Sequence, residues 1–239
     1  MLHSFGGLLR NVVPLTEGAP VLVSVGKYDD TELSEVLQFL DRQLVTCEMF
    51  GIPATIVLNK VDLYRDEVPE EFANFRSIYE RAGYPVLETS AKTGEGVDAL
   101  RELCRSGLNL ISGESGVGKS SLIRALDPSL NPKVGRISSA HLQGKHTTSL
   151  YEMYPLSGGG YVIDTPGLRG FGLYGIEKEE IPRYFPEMLR YAEGCKFVPC
   201  THTHEPDCAV KASVEAGEIA PERYDSYLGM LDEETKFRK

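Results

Sequence analysis

The chain has 239 residues, 41% of them hydrophobic and 25% charged, a balance typical of a globular protein with one full core and a small appendage. No uninterrupted apolar run reaches the roughly 18 residues of a transmembrane helix, which argues against a membrane span. The net charge of -10 argues against broad affinity for nucleic acid, because that affinity comes mostly from cations that neutralise phosphates, so any RNA contact must be local.

Residues 1–20 are a short N-terminal segment that faintly resembles an organelle-targeting peptide, since Arg10 is present and no acidic residue precedes Glu17. A plain surface segment or a truncated start is the better interpretation, and we expect a cytoplasmic protein. The five cysteines do not make a disulfide scaffold in a chain of this length. Three of them lie between residues 195 and 208, which indicates a metal site in a reducing compartment.

The predicted elements alternate between strand and helix from residue 21 to residue 126. Short apolar runs predict the strands, and apolar residues at helical spacing predict the helices. In chain order the segments are a strand at 21–26, a helix at 31–50, a strand at 54–60, a helix at 69–83, a strand at 85–91, a helix at 96–107, a strand at 108–113 and a helix at 118–126. This alternation predicts an α/β fold with a doubly wound, mostly parallel sheet and helices on both faces.

The pattern changes in the second half of the chain. A polar stretch at 130–143 precedes two strands, at 149–157 and 159–165, that are expected to form a hairpin. Helix-like pieces follow, and the last predicted helix begins at Pro221, a residue well placed in a first helical turn. We place the domain boundary near 174, which gives one domain at 21–174 and a small helical domain at 175–239.

A phosphate-binding loop is predicted between the strand at 108–113 and the helix at 118–126. The matching residues are Gly113, Glu114, Ser115, Gly116, Val117, Gly118, Lys119 and Ser120, and we include the next residue, Ser121. Backbone N–H groups and the helix N-terminus bind phosphate oxygens in such a loop, while Lys119 reaches the terminal phosphates and Ser120 is a ligand for Mg²⁺. The alternative is a Gly-rich turn that only caps a helix, and the register of Lys119 and Ser120 argues against it.

Two loops at the ends of consecutive strands have the chemistry to recognise guanine. In Asn59-Lys60-Val61-Asp62, the carboxylate of Asp62 can accept from N1–H and the exocyclic amine, Asn59 supports the O6/N7 edge, and the Lys60 stem covers the ring. Adenine lacks that pair of donors, so a buried Asp62 would stay unpaired at a cost of roughly 1–3 kcal/mol. In Ser90-Ala91-Lys92, the Ala91 N–H is offered to the guanine oxygen.

Two more segments are expected around the γ-phosphate. Asp164-Thr165-Pro166-Gly167 ends an apolar strand, where Asp164 can hold Mg²⁺ through water and the Gly167 N–H can contact the γ-phosphate. Upstream, Gly144-Lys145-His146-Thr147-Thr148 supplies a threonine ligand for Mg²⁺ in a loop able to order around the triphosphate. Thr148 is slightly preferred over Thr147 as that ligand.

The residue that orients the attacking water is less clear from the sequence. The position after Gly167, which holds a glutamine in many GTPases, is Leu168, so catalysis must be slow, use another polar group, or need a partner. His146 is the nearest candidate, because an imidazole in the closing loop could position water or stabilise charge. A solvated loop histidine is an equally good interpretation.

The metal site is predicted at Cys195, Cys200, His202 and Cys208, with His204 as a spare. Three thiolates and one imidazole suit tetrahedral Zn²⁺, and a closed set of four protein ligands is typical of a structural site. The alternative is a set of buried thiols beside surface histidines. Because the segment has little apolar content, the metal is expected to supply much of its folding free energy.

These residues resemble the RsgA-type (YjeQ) family of circularly permuted GTPases. The resemblance runs from about Val21 to Leu231 and covers the base loops, the phosphate loop, GKHTT, DTPGLRGFGL, CTHTHEPDC and RYDSYLGML. Other permuted GTPases share the order in which the base loops precede the phosphate loop. The zinc spacing directly after the last GTPase motif is what selects this family.

The resemblance implies a circularly permuted P-loop GTPase at 21–174 and a zinc-binding helical domain at 175–239. It implies GTP/GDP, Mg²⁺ and one structural Zn²⁺ as cofactors, and GTP hydrolysis that the small (30S) ribosomal subunit stimulates during its late maturation. It also implies contacts of the zinc segment and last helix with ribosomal RNA, no membrane partner and a monomer. The alternative is a nucleotide-dependent ribosome- or RNA-binding module with negligible hydrolysis of its own.

The family resemblance further implies an N-terminal OB-fold that docks on the subunit. Only about 20 residues precede the first predicted strand, too few for a five-stranded barrel. The sequence therefore predicts a truncated form or a version without that domain.

Overall fold

The computed structural model of the chain describes residues 21–25, 33–132, 152–165, 173 and 175–232. Six strands form one sheet: β1 (Val21–Val25), β2 (Ala54–Asn59), β3 (Val86–Thr89), β4 (Leu108–Ser112), β5 (Glu152–Pro155) and β6 (Tyr161–Asp164). Their order across the sheet is β3-β2-β1-β4-β6-β5. All neighbours are parallel except β5 and β6, which pair antiparallel as the predicted hairpin.

Five helices accompany the sheet within the described residues. They are α1 (Leu33–Met49), α2 (Val61–Glu67), α3 (Pro69–Ala82), α4 (Val97–Leu103) and α5 (Lys119–Leu126). Four of them match predicted helices. The fifth, α2, is missing from the sequence prediction because Val61 is its one buried residue, so its sequence shows no helical period of apolar residues. It starts directly after Lys60, whose left-handed backbone (φ 68°) turns the chain out of β2.

The two faces of the sheet are covered by different helices. On one face, Leu40 of α1 and Ile78 of α3 pack in a common core with Leu110 of β4. On the other face, Leu100 of α4 and Leu122 of α5 pack with Ile111, the next residue of β4. Successive residues of a strand point to opposite faces, so β4 is apolar at both positions. The predicted doubly wound, mostly parallel sheet is confirmed.

Polar residues end the strands at one edge of the sheet. Asn59 ends β2, Thr89 ends β3, Ser112 ends β4 and Asp164 ends β6. Because parallel strands place their carboxyl ends at the same edge, the segments that follow these residues are neighbours in space. All six residues of β2 are buried up to and including Asn59, so an amide is held in an otherwise apolar layer.

The C-terminal part of the chain is helical. A 3-10 helix (Lys178–Tyr184) is followed by α6 (Pro186–Ala192), α7 (Ala209–Glu215) and α8 (Pro221–Asp232). Phe185, Val210 and Tyr227 belong to its buried core, and this core also contains Val45 of α1. The C-terminal helices therefore pack directly on α1. The boundary near 174 stays a prediction.

Within the described part of the chain, no helix is long and apolar enough to cross a membrane.

Candidate functional site

The phosphate-loop residues form a tight turn between β4 and α5. Gly118 has a left-handed backbone with φ of 101°, and a Cβ added there would lie 2.3 Å from Nδ2 of Asn59. Any larger residue would displace the Asn59 amide, so glycine is required by both the backbone and the space. Val117 beside it is buried, whereas Ser115 in the loop and Ser121 in α5 are exposed.

Lys119 is buried under the phosphate loop. Its Nζ donates hydrogen bonds to the carbonyl oxygens of Gly113, at 2.8 Å, and Glu114, at 2.6 Å. Burial lowers the pKa of Lys119 to about 8, although the carboxylates of Asp164 and Glu114 act in the opposite direction. An ammonium in such a position gains most from a strongly anionic ligand, since the ligand's charge offsets the cost of burial.

Ser120 and Asp164 form the predicted magnesium pair. The Oγ of Ser120, in the first turn of α5, lies 3.5 Å from Oδ2 of Asp164, at the end of β6. Burial raises the pKa of Asp164, while Lys119 and Ser120 lower it. Among the described residues, Oδ1 of Asp164 has no hydrogen-bond partner although it is buried. A hydroxyl and a carboxylate with a free oxygen are the ligand types that Mg²⁺ prefers, so these residues fit that ion.

Several predicted residues near the γ-phosphate lie outside the described residues. They are Gly144, Lys145, His146, Thr147 and Thr148 of the upstream loop, together with Pro166, Gly167 and Leu168 after β6. Their predicted roles in holding Mg²⁺, contacting phosphate and positioning water stay predictions.

Asn59 joins the phosphate loop to both base loops. Its Nδ2 donates to the carbonyl oxygen of Val117 at 3.0 Å. Its Oδ1 accepts from the backbone N–H of Ala91 and from the hydroxyl of Thr89, each at 3.3 Å. The buried amide therefore pairs with groups from two other segments, and this fixes the positions of all three segments relative to one another.

Lys60 and Asp62 flank the predicted base position. The Nζ of Lys60 donates to the carbonyl oxygen of Gly116 at 2.8 Å, which lays the lysine stem across the phosphate loop. Oδ1 of Asp62 accepts from the Ser90 hydroxyl at 2.6 Å, and its Oδ2 lies 3.7 Å from Nζ of Lys92. The Ser90 hydrogen bond is the main cause that lowers the pKa of Asp62, so this acceptor is ionised at neutral pH. Val61 between them is buried and anchors the loop.

The predicted zinc ligands form one cluster. The ligand atoms of Cys195, Cys200, His202 and Cys208 all lie within 4.8 Å of one another. The sulfurs of Cys195 and Cys200 lie 3.9 and 3.8 Å from that of Cys208, and Nδ1 of His202 lies 3.6 and 3.4 Å from the sulfurs of Cys195 and Cys208. Zn–S bonds of about 2.3 Å and Zn–N bonds of about 2.0–2.1 Å give tetrahedron edges of roughly 3.8 and 3.6 Å. The cluster therefore fits a tetrahedral zinc ion.

The pKa shifts differ among the clustered residues. Burial lowers the pKa of His202, which favours the neutral imidazole that binds metals. Burial raises the pKa of Cys195, but hydrogen bonds from the backbone N–H groups of Val210 and Ala209 and from the neighbouring thiols together leave this pKa below its usual value. Burial raises the pKa of Cys200 to about 12, so this thiol must lose its proton when a metal binds. His204 is exposed, with Nδ1 3.0 Å from the Thr203 hydroxyl, and is not one of the clustered ligands.

The sequence patterns miss a buried ionic network between α1 and the C-terminal helices. Arg223 of α8 contacts Asp41 of α1 at 2.6 Å and holds Glu187 of α6 with two hydrogen bonds, at 2.6 and 3.2 Å. The hydroxyl of Tyr79 donates to the same oxygen of Asp41 at 2.9 Å. Charged residues in helices are rarely buried unless they are paired, and no local sequence pattern identifies Asp41 and Arg223 as partners. The packing of the two helices against each other buries them.

The α8 helix also holds the zinc loop. The hydroxyl of Tyr224 donates to the carbonyl oxygen of His202 at 2.6 Å, and that of Tyr227 donates to the carbonyl oxygen of Thr201. Arg223 lies in the same helix, so one element contacts both the metal cluster and α1.

Comparison with known proteins identifies the family. Residues 21–174 match the family model described as RsgA GTPase. A protein of Bacteroides fragilis, "Small ribosomal subunit biogenesis GTPase RsgA", is 46% identical over 220 residues, which cover 91% of this chain and 70% of that relative. A Bacteroides thetaiotaomicron relative, "Small ribosomal subunit biogenesis GTPase RsgA 2", is 46% identical over 202 residues, 84% of this chain and 65% of its own length.

Two solved structures are similar as well. YjeQ from Thermotoga maritima has a TM-score of 0.73 at 35% identity, with 90% of this chain and 70% of that one covered. YloQ, described as a circularly permuted GTPase, has a TM-score of 0.66 at 31% identity, with 90% and 67% covered. The predicted permuted GTPase fold is thereby confirmed. By family model, sequence identity and structure, the chain belongs to the RsgA GTPase family.

Proposed function

We propose that this chain is a GTP-hydrolysing switch that acts in the late maturation of the small (30S) ribosomal subunit. One observation carries the proposal: the buried Asn59 amide ties the phosphate loop to both base loops, at the same sheet edge as the Ser120 and Asp164 pair. The residues proposed to bind phosphate, guanine and Mg²⁺ are thus close together, which supports a single site for Mg·GTP.

The residues of this edge have distinct roles in the proposal. Backbone N–H groups of Gly113–Ser120 and the N-terminus of α5 bind the phosphates, and Lys119 stabilises the negative charge of the terminal ones. Asp62 accepts from guanine, with Ser90 and Lys92 holding its two oxygens. Ser120 and Asp164 would hold Mg²⁺, which when bound neutralises charge on the phosphate oxygens.

The groups that close on the γ-phosphate are proposed from the sequence alone. Thr148 is the proposed second hydroxyl ligand, the Gly167 N–H contacts the γ-phosphate, and His146 orients the attacking water. Leu168 takes the position that holds a glutamine in many GTPases, so the chain supplies no amide there. We therefore propose slow hydrolysis by the free protein and stimulation by its partner.

The C-terminal unit, proposed to span 175–239, holds one structural Zn²⁺ through Cys195, Cys200, His202 and Cys208. The four ligand atoms form a closed set, and the separations between them support the assignment. In this proposal the zinc unit is the part that reports the nucleotide state, because it follows directly after the last motif of the nucleotide domain at 21–174.

The small ribosomal subunit is the proposed partner. The Bacteroides relatives are named for small ribosomal subunit biogenesis, and we extend that role to this chain. The charge of -10 confines the contact with ribosomal RNA to local surfaces. The monomeric state and the cytoplasmic location stay predictions.

Leu168 also favours a second candidate function. With no glutamine at that position, the chain would be a nucleotide-dependent ribosome-binding module with negligible hydrolysis of its own. Binding of GTP against GDP would then control attachment, and hydrolysis would play no part.

Single-turnover hydrolysis separates the two functions. GTP bound to an excess of protein is followed with and without purified small subunits, in Mg²⁺ and in chelator. We expect Mg²⁺-dependent hydrolysis that subunits accelerate by at least about tenfold, a lowering of the barrier by about 1.4 kcal/mol. Ser120→Ala removes the proposed Mg²⁺ ligand and should abolish the Mg²⁺-dependent hydrolysis. Ser121→Ala, at the exposed neighbouring position, is the control and should leave hydrolysis unchanged. Equal and near-zero rates with and without subunits would favour the binding module.

A further inference from the structure

Arg65 bridges the two base loops on their outer side. It lies on α2, three residues after Asp62, and so about one helical turn away. One nitrogen, Nη2, lies 2.6 Å from Oε2 of Glu88 and 2.7 Å from Oε1 of Glu95. Glu88 belongs to β3, the strand that leads into Ser90, and Glu95 follows Ser90 in the next turn.

The turn after β3 links Glu95 to Ser90 through backbone hydrogen bonds. The backbone N–H of Ser90 donates to the carbonyl oxygen of Glu95 at 2.9 Å, and that of Gly94 donates back to the carbonyl oxygen of Ser90 at 2.9 Å. Gly96 closes the turn against the strand, where an added Cβ would lie only 1.9 Å from the carbonyl oxygen of Glu88. The segment from Glu88 to Gly96 is therefore one compact unit with little freedom.

The helix that carries Asp62 needs an external anchor. It has seven residues and no side-chain cap at its N-terminus, and helices this short are not stable by themselves. Its inner contacts with this segment are the 2.6 Å hydrogen bond from Ser90 to Asp62 and the ion pair between Lys92 and Asp62, at 3.7 Å. Arg65 adds an outer contact to the same turn, so that the two loops are held together from both sides.

We propose that Arg65 is a positioning residue that fixes the distance between Asp62 and the Ser90–Lys92 loop and thereby sets selectivity for guanine. The proposal rests on the proposed function of this edge as a guanine nucleotide site. Asp62 must meet two donors of the base at once, N1–H and the exocyclic amine. A two-point contact is sensitive to small displacements of the carboxylate, whereas a one-point contact adjusts to them.

Arg76 of α3 offers a matched comparison on the same surface. It also contacts Glu88, at 2.8 Å, and it pairs with Glu80 of its own helix. The side chains of Arg65 and Arg76 are 45% and 46% exposed. Both arginines therefore have similar charge environments, but Arg76 makes no recorded contact with Glu95. A general effect of surface charge would appear in both variants, and a positioning effect only in Arg65→Ala.

Exposed ion pairs contribute little one at a time, so the expected effect is modest. For Arg65→Ala we expect the Kd for GDP to rise about three- to tenfold at low ionic strength, and the Kd for IDP, which lacks the exocyclic amine, to rise about twofold or less. The preference for GDP, measured as the Kd for IDP divided by the Kd for GDP, therefore falls. This ratio is not affected by a general loss of folded protein, because such a loss changes both Kd values equally. At about 0.5 M salt the difference from wild type shrinks, because exposed charges are screened.

Glu95→Gln tests the same contact from the other side and leaves the Arg65–Glu88 pair in place. It should reproduce most of the loss, and the Arg65→Ala/Glu95→Gln double variant should lose little more than Arg65→Ala alone. Arg76→Ala should match wild type in both affinities. Single-turnover hydrolysis at saturating GTP should be unchanged in Arg65→Ala, since the phosphate groups are untouched.

The outcomes separate the inference from the function beneath it. If wild type binds GDP more tightly than IDP and Arg65→Ala keeps the same ratio, Arg65 has no positioning role. The same conclusion follows if Arg76→Ala lowers the ratio equally. If wild type itself shows no preference for GDP over IDP or ADP, the guanine site is wrong, and the proposed function fails together with this inference.

Discussion

Arg223 and Asp41 form an ion pair that is almost completely excluded from water: Nη1 and Oδ1 are 2.6 Å apart, and the side chains are 1% and 0% exposed. Glu187, also buried, forms a second ion pair with the same guanidinium, with Oε1 2.6 Å from Nε of Arg223. The ring of Phe185 packs against it with 4.5 Å between the guanidinium carbon and the ring centroid. The network joins α8 and α6 to α1, so the orientation of the C-terminal helices relative to the sheet depends on it.

Replacing Arg223 should destabilise the whole chain. Arg223→Ala would leave two carboxylates buried without a cation, at a cost of about 3–5 kcal/mol in the free energy of unfolding. Burial already raises the pKa of Asp41 even though Arg223 opposes that shift. The measurement is urea unfolding followed by circular dichroism. Arg183→Ala in the 3-10 helix is the control, since that arginine is exposed and should change stability by less than about 0.5 kcal/mol.

A triple variant keeps this prediction testable if Arg223→Ala does not fold. Asp41→Leu, Glu187→Met and Arg223→Met together replace the network with apolar side chains, which is often neutral or stabilising. The triple variant should recover most of the lost stability. If Arg223→Ala alone unfolds at the same urea concentration as wild type, the network makes no contribution to docking.

The sequence predicts those features that depend on local pattern. Alternating apolar segments predict the sheet, and the spacing of Lys119 and Ser120 predicts the phosphate loop, because both depend on residues close together in the chain. The roles of Asn59 and Arg223 depend on packing instead. Nothing in Asn59-Lys60-Val61-Asp62 indicates that the amide reaches the carbonyl oxygen of Val117, 58 residues away. Likewise Arg223 meets Asp41 across 182 residues, where helical periodicity carries no information.

Removing zinc should weaken the C-terminal unit and, through α8, the rest of the chain. Freshly purified protein should contain about one zinc per chain, and His202→Ala should lose it. If the metal contributes about 3 kcal/mol to folding, a strong chelator lowers the Tm by about 6–12 °C in a chain of this size. The exposed His204 supplies the control, since His204→Ala should keep both the zinc and the Tm. A zinc content near zero in wild type would overturn the assignment.

Nucleotide binding should be coupled to protonation of Lys119. The free protein has a pKa of about 8 at this residue because of burial, and bound phosphates would keep the ammonium charged well above that pH. As pH rises through about 8, the free protein loses the proton and the complex retains it, so affinity for GDP falls by up to about tenfold per pH unit. At pH 7 and below, Lys119 is already charged in the free protein, so its protonation no longer makes the affinity for GDP depend on pH.

Calorimetry in buffers of different ionisation enthalpy measures this coupling directly. GDP binding should take up about 0.5–0.8 protons per chain at pH 8.5 and close to none at pH 7. Lys119→Arg keeps a charge at all these pH values, so it should bind GDP more weakly but with no proton uptake. Equal uptake at pH 8.5 by wild type and Lys119→Arg would place the titrating group elsewhere.

The Asp62 carboxylate should determine which base the site accepts. Asp62→Asn exchanges one acceptor oxygen for a donor, so the exocyclic amine of guanine meets an N–H, while the carbonyl at the same position of xanthine finds a partner. Losing that pairing costs roughly 1–3 kcal/mol, which corresponds to about a 5- to 150-fold weaker Kd for GTP. Competition binding with GTP and XTP measures the shift. Asp98→Asn is the control, since Asp98 is 95% exposed on α4 and should leave the preference for GTP intact. Unchanged guanine selectivity in Asp62→Asn would show that the base is read by other residues.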